Sequence, residues 1–531
     1  MRGGFPGARR DDQHLQPVRL CRDRTQRQQL LPLVAPVPRL QRAAQGFQPV
    51  RRGEAGSGRR GLGGHPQAVV GRTEKSRGGI VRNIDQLARE IWDAALQIGL
   101  SPHPVHFETV PYHVLYEIAA YGLPNHYHHW TFGRNYWIQK TRYEHGEGRI
   151  YELVINSDPA YAYILDNSND VQKALVMAHV MGHSHIFRSN EFWKNTRKDM
   201  PSYMAAASAR FAEYEQIYGF AAVEELITRG LAVAPHSADE EHEPVVEKRP
   251  VENRTAYDDL LDLDVVLGKR ALSEKEKAAR EKKERIRPGA LNRLPRPTRD
   301  LLGYILRYSP QLLDYQRDIL SVIRQEGIYI QPFYQTRLLH EGFAVWTHQK
   351  ILDLLDLDQE ERVEAALTHA SVTVPWALGI NPYFFGARML DMIEKEKGLA
   401  EVIRIANEES DSSFIRNHLT ESMVEELDVY KWVRKEFSAH EQWEVAEKDW
   451  RLVRNYLADQ YGRPPHPVIE VCREVPGQGT LVLSQVGTQD MDEKYARETL
   501  NFCQDLWGHR VELHCRIDSK AKLLWSHMGN H

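Results

Sequence analysis

His179 and His183 stand four residues apart in VMAHVMGHSHIF, inside an apolar run that reads as one helix. Imidazoles at i and i+4 share a helical face and can converge on one metal ion, as they do in zinc sites. Metalloproteases of the HExxH type place a glutamate after the first histidine, but Val180 occupies that position, so the usual general base is missing. Taken alone, the spacing favours two partly buried histidines bonded to backbone. The segment LLHEGFAVWTH changes that balance, because His340-Glu341 is expected to begin a second helix that also carries His348. An acid from a second helix is what a His2Glu zinc site requires. Glu341 and His348 are separated by about 10.5 Å of helical rise and are not expected to share one ion. The expected metal ligands are therefore His179, His183 and Glu341. His348 falls in a second shell or on the substrate side, and His340 competes for either role. His185 would join only if the helix loosens near Gly182. Glu341, Glu326 in IRQEG and Glu213 are the candidate catalytic acids, and an acid on a helix is otherwise most often a solvated or paired surface group. The HYHHW cluster, with His129 and Trp130, reads either as a pocket wall or as a loop packed by its aromatic rings.

These residues need elements to hold them. NIDQLAREIWDAALQIGL, from Asn83, has amphipathic helical spacing. A short extended piece and a helix ending at Gly122 and Pro124 follow, then a strand over 150–156. Asn167 to Asp170 supply capping candidates for the helix that carries His179 and His183. A third helical stretch spans roughly Ser202 to Gly230. Beyond the charged run 232–297, read as a connector, two helices separated at Ser309 and Pro310 are expected, followed by those of LLHEGFAVWTHQKIL and NPYFFGARML. Residues 441–466 read as a linking helix, and 467–520 as a small β-β-α-β module. The fold class is α+β: a predominantly helical main domain (83–231 and 298–440), a small C-terminal α/β module and a disordered N-terminal extension.

Composition narrows the function classes. The net charge of −4 conceals residues 1–82, with 16 Arg, one Lys and five acids for a net of +12, ahead of a remainder at −16. That first segment holds 13 of the 35 glycines and has no helical or strand period, so it is expected to be disordered. Its Arg-to-Lys skew favours translation upstream of the true start over a nucleic-acid-binding arm or a targeting peptide. A nucleic-acid partner is accordingly not expected. The GSGRRG match at Gly56–Gly61 lacks a flanking strand and helix, and no phosphate-binding GxxxxGK[ST] loop or GxSxG elbow occurs. No run of about 18–20 apolar residues is present to span a membrane. Four cysteines without CxxC spacing argue against a zinc ribbon and for reduced thiols in a cytoplasmic protein. Histidine stands out instead, with 24 in the chain.

Several longer segments occur in a recognisable order: YHVLYEIAAYGLPNHYHHWTFG, YELVINSDPAYAYIL, VMAHVMGHSHIFRSN, YQRDILSVIRQEG, LLHEGFAVWTHQKIL and NPYFFGARML. Together they resemble the stage V sporulation protein R (SpoVR-like) family, from about residue 83 to 520. Its AHVxGH element matches His179, Gly182 and His183. Its EGxAxxWH element matches Glu341, Gly342, Ala344 and His348, and its HWxFG element matches His129, Trp130, Phe132 and Gly133. This chain departs from the family pattern at His340, His185 and Thr347. The resemblance implies a cytoplasmic bacterial protein linked in spore formers to the cortex, a modified peptidoglycan, and associated with a PrkA-type serine kinase. Joined to the histidine and glutamate spacing, it gives two expectations. One is a metal-dependent hydrolase, with zinc as the expected cofactor, acting on a peptide or cell-wall amide. The other is a non-catalytic scaffold or regulator of envelope assembly.

Overall fold

The computed structural model describes residues 83–145, 152–238, 298–376, 379–434, 443–475, 477–487 and 489–526. The expected disordered extension, most of the charged connector and the glycine-rich GSGRRG segment lie outside them. The first elements are α1 (Ile84–Gln97), β1 (Val105–Val110), α2 (Tyr112–Tyr121), α3 (Trp130–Glu144), β2 (Glu152–Ile155) and β3 (Ala160–Leu165). Strands β1 and β3 pair in parallel and β2 joins β3 antiparallel, giving the order β1-β3-β2, with Glu152 opposite Ile164.

Helix α4 (Asp170–Ser189) opens on a capping box, in which Asn169 and Gln172 satisfy each other's backbone N–H. Every residue from Ala174 to Phe187 is buried, which is why the stretch is apolar nearly all round: α4 is a central helix with no solvent face. The expected helix over Ser202–Gly230 is two helices, α5 (Met200–Tyr218) and α6 (Phe220–Val233). They break at Gly219, whose φ of +92° suits glycine. After α7 (Leu301–Tyr308) comes α8 (Asp314–Leu354), one helix of 41 residues. His340 and Glu341 therefore lie deep inside a helix and do not begin one; Pro332 is accommodated within the same helix.

Helices α9 (Gln359–Val372), α10 (Pro382–Lys397), α11 (Leu399–Glu408), α12 (Asp411–His418) and α13 (Glu421–Glu426) complete the main body. The expected linking helix over 441–466 is partly a strand. Strands β4 (Lys431–Arg434) and β5 (Trp443–Glu447) pair antiparallel, and only then does α14 (Trp450–Gln460) begin. From Glu444 to Glu447 the residues alternate between exposed and half-buried, the period of a strand and not of a helix. The C-terminal sheet β6 (Val468–Glu474), β7 (Leu481–Val486), β8 (Val511–Ile517) and β9 (Lys520–Trp525) runs in the order β6-β7-β8-β9, with α15 (Glu493–Trp507) between β7 and β8. The fold is thus mainly helical with a small C-terminal sheet, one strand larger than the expected β-β-α-β pattern.

Two apolar cores share α8. Ile319, Leu320, Val322 and Ile323 from its first half pack with α5, α6, α7, α15 and the C-terminal sheet. Leu338, Leu339, Phe343 and Trp346 from its second half pack with α1, α4, α10 and α12. Within that second half, Asp411 of α12 is buried, and its carboxylate accepts the N–H groups of Leu338 and Leu339, each at 2.8 Å. Helix α12 is thereby fastened to the backbone of α8 immediately ahead of His340-Glu341.

Candidate metal centre

Glycines set how closely the helices carrying the site can approach. A Cβ on Gly182 of α4 would fall 2.7 Å from the Ala344 Cα of α8, so a larger residue would push the two helices apart. A Cβ on Gly342 would fall 2.4 Å from the Gly386 Cα of α10. Glu341 therefore sits between two crossings of backbone on backbone. One brings His179 and His183 to it, and the other brings Tyr383, at the start of α10.

The imidazoles and carboxylates face one another. Glu341 Oε2 lies 3.8 Å from His179 Nε2 and 3.7 Å from His183 Nε2. Glu152 Oε1, from the edge strand β2, is 3.9 Å from His179 Nε2. Ligand atoms of Glu152, His179 and His183 all lie within 4.8 Å of one another. At these distances none of the contacts is a hydrogen bond, and His179 Nε2 is buried with no hydrogen-bond partner. Donor atoms on a tetrahedral zinc with bonds of about 2.0–2.1 Å would be roughly 3.3–3.4 Å apart. A contraction of this cluster would reach a spacing of that order, so the residues are of a kind and arrangement that could hold a divalent ion.

The opposite edges of the rings are held by further histidines. His183 Nδ1 is 2.7 Å from His340 Nε2, and His179 Nδ1 is 3.2 Å from His348 Nδ1. His348 Nε2 is 2.9 Å from His369 Nδ1 on α9, whose Nε2 meets Gln349 at 3.1 Å. His340 is boxed by the rings of Phe187, Trp193 and Phe333. Partners that fix the far nitrogen of a ligating histidine orient its ring and set its tautomer.

Electrostatics favours ligation as well. Burial, reinforced by neighbouring imidazoles, drives His183 and His348 well below the usual histidine pKa and His340 to about 3, which keeps the lone pairs free for a metal. The two carboxylates diverge. Burial pushes Glu152 up, an effect opposed by His179 and increased by Glu341. Burial also pushes Glu341 up, but His179, His183 and Arg337 outweigh it and hold the carboxyl below its usual range. Tyr383, whose ring stacks on His179 at 6.1 Å, is raised well above the usual tyrosine value by burial and by both carboxylates.

The structure thus brings together His179, His183 and Glu341, with His340 and His348 behind the two histidines. The spacing argument did not single out Glu152; a lone acid in a short strand carries no signal of its own. Other candidates lie elsewhere. His185 points away from the cluster: its Nδ1 accepts the Ser101 N–H at 2.9 Å and its ring packs on Phe343. Glu213 is exposed on α5. Glu326 precedes Glu341 on α8 by about 22 Å of rise, and its carboxylate meets His126 Nε2 at 3.0 Å and the Tyr127 hydroxyl at 2.9 Å. It cannot act as a base at the cluster. His129 is bonded through Nδ1 to the Thr131 hydroxyl and through Nε2 to the Thr228 hydroxyl, and Arg134 lies over the exposed Trp130 ring. In that segment the rings of His126, Tyr127 and His129 pack around Phe132 at the start of α3.

Among the described residues no helix is long and apolar enough to cross a membrane. No solved structure matches the chain. It is 26% identical over 475 residues to the uncharacterized protein YcgB of Escherichia coli (strain K12), an alignment covering 81% of this chain and 91% of that one. Residues 80–464 match the family described as SpoVR like protein, a span that takes in every member of the histidine cluster and ends just ahead of the C-terminal sheet. The chain belongs to the SpoVR-like family.

Proposed function

We propose that this SpoVR-like protein is a metal-dependent hydrolase of a peptide or amide, acting in the cytoplasm on material related to the cell envelope. The observation that carries the reading is the convergence of His179, His183, Glu341 and Glu152 around a buried, unpartnered His179 Nε2. His179, His183 and Glu341 would hold the ion, taken to be zinc. When bound, it would supply Lewis-acid polarisation of a carbonyl and a water acidified toward neutral pH. Glu341, held below its usual pKa, suits a ligand that stays ionised. Glu152, pushed upward, suits a proton carrier. Glu152 would accept a proton from the attacking water and deliver it to the leaving nitrogen. Water's oxygen bonds to the carbonyl carbon as the C–N bond breaks, leaving a carboxylate and an amine. Glu152 thus takes the role that Val180 cannot fill.

A scaffold or regulator of envelope assembly, including sporulation where it occurs, is the second reading. It is favoured by the low exposure of the cluster, with side chains of His179, His183, Glu341 and Glu152 between 6% and 20% accessible. Elemental analysis and complementation separate the two. The hydrolase reading expects about one zinc per chain, lost in the His179→Ala, His183→Ala double variant, and a Glu152→Gln variant that keeps zinc but fails to complement a deletion strain. Complementation by Glu152→Gln and by Glu341→Ala would establish the scaffold.

A further inference from the structure

Two arms of histidine lead away from the metal centre, and they end differently. From His183 the arm stops at His340, whose Nδ1 is buried with no hydrogen-bond partner. From His179 it runs on. His179 Nδ1 faces His348 Nδ1 at 3.2 Å, His348 Nε2 faces His369 Nδ1 at 2.9 Å, and His369 Nε2 faces the Gln349 amide nitrogen at 3.1 Å. An amide NH2 group only donates, so this last contact fixes the hydrogens of the whole arm. His369 accepts at Nε2 and therefore carries its hydrogen on Nδ1. That hydrogen is donated to His348 Nε2, which leaves the His348 hydrogen on Nδ1, and that one in turn is donated to His179 Nδ1. The His179 hydrogen then sits on Nε2. There it is buried and unbonded, with Glu341 and Glu152 at 3.8 and 3.9 Å. No ring in the arm needs a second proton, in keeping with the lowering of His348 and His369 by burial.

A ring nitrogen that bears hydrogen has no lone pair for a metal. The arrangement that suits ligation is the reverse one, with hydrogens on His179 Nδ1, His348 Nε2 and His369 Nε2. It keeps both bonds between imidazoles and asks the end group for an acceptor in place of a donor, which Gln349 supplies by turning its amide over. We infer that His369 and Gln349 are positioning residues of the metal centre and that the arm is a two-state tautomer switch, in which the group facing His369 Nε2 sets how readily His179 Nε2 takes an ion. The inference rests on the metal-binding part of the hydrolase reading and not on the bond cleaved. In the reversal His348 passes its Nδ1 hydrogen to His179 Nδ1, and His369 passes its Nδ1 hydrogen to His348 Nε2. His179 gives up its Nε2 proton to water and His369 Nε2 takes one from water, so every ring is neutral before and after. His369 and Gln349 are both half-buried, on α9 and near the end of α8, within reach of that water. Two discrete arrangements of one hydrogen-bonded chain are the kind of element through which one place biases another. The bias is reciprocal, so whatever fixes His369 also tunes the centre.

The test is zinc affinity of the full chain by chelator competition, in variants that impose one role on the end group. Gln349→Glu offers only acceptors and should tighten zinc by about fivefold, the lower end of ordinary coupling between sites. Gln349→Lys offers only donors and should weaken zinc by a similar factor. Charge acting through space would have the same signs, so both variants are repeated with His369→Phe, which cuts the arm; there the two effects should vanish. Effects that survive His369→Phe, or that never arise, overturn the switch. A second readout follows the hydrogens themselves, by nitrogen NMR of the wild-type chain isotope-labelled at histidine, with the His369 signals identified by their loss in His369→Gln. Zinc should move the His369 hydrogen from Nδ1 to Nε2, and a hydrogen that stays on Nδ1 overturns the switch whether or not His369→Phe folds. A wild-type chain without stoichiometric zinc overturns the metal centre and the switch together, whereas a zinc-loaded chain indifferent to Gln349 and His369 overturns the switch alone.

Discussion

Helix α8 passes through two groups of buried histidines with opposite chemistry. Near Glu326, His126 uses Nδ1 toward the Tyr127 carbonyl and Nε2 toward Glu326, while His129 uses both nitrogens on threonine hydroxyls. Every ring nitrogen there has a protein partner at hydrogen-bond distance. About four turns along, His179 and His183 use Nδ1 on other histidines and turn Nε2 toward carboxylates too distant to bond. The first group is satisfied by the fold, whereas the second leaves His179 Nε2 buried without a hydrogen-bond partner. Both groups contain histidine, glutamate and tyrosine, so residue content does not distinguish them; convergence of unpaired donors does.

The sharpest way to break this contrast is elemental analysis of single variants. His179→Ala and His183→Ala are each expected to lose stoichiometric zinc, whereas His126→Ala and His129→Ala should keep it; equal losses from both groups would erase the distinction. Next in size, Glu341→Ala should weaken zinc in chelator competition by more than the tenfold to hundredfold expected of a supporting residue. Glu326→Ala should leave zinc alone and instead lower stability by about 1–3 kcal/mol in chemical denaturation, because it strands the Tyr127 hydroxyl and His126 Nε2. The histidines behind the ligands come third. His340→Ala and His348→Ala should each lower zinc affinity by about 10–100-fold, and an unchanged affinity would mean that they only fill space.

A pH-dependent effect concerns the clasp on α8. Burial pushes Asp411 up to about 7, against the opposing pull of the Leu338 and Leu339 N–H groups and Arg337. Since an unfolded aspartate titrates near 3.9, the folded state binds the extra proton between these values. The contribution of Asp411 is then greatest below about pH 4 and falls as pH rises through 7. Melting temperature of the wild-type chain relative to Asp411→Asn should therefore decline from pH 5 to pH 8, and a flat difference would contradict the buried, protonated carboxyl.

Much of the centre was legible in the sequence because it depends on local spacing. The i, i+4 pair of His179 and His183 and the adjacency of His340 and Glu341 put those groups on helical faces whatever else the fold does. Glu152 was not legible: its role comes from the pairing of β2 with β3, which carries an edge strand to α4, and no period in the chain records such an approach. A separate helix was expected to begin at His340-Glu341, whereas α8 runs unbroken through Gly327 and Pro332, both ordinarily helix breakers. Gly327 is instead required by close packing, since a Cβ there would meet the Ala234 carbonyl oxygen at 2.7 Å, and Pro332 is buried within the helix. Strand β5 was hidden by its length of only five residues and by Val445-Ala446, which break the apolar/polar alternation just ahead of α14.

An unbroken α8 also gives the two histidine groups a fixed phase. With 3.6 residues per turn, adding or removing one residue between Glu326 and Glu341 swings everything beyond it by about 100°. His340, Glu341 and His348 would turn off α4 while Glu326 stayed docked on His126 and Tyr127. Adding four residues would bring the angle back to within about 40° but slide the glutamate by about 6 Å, out of reach of the imidazoles. The helix thus works as a gauge whose length and pitch are both set, and this stretch should be the least tolerant of insertion in the molecule.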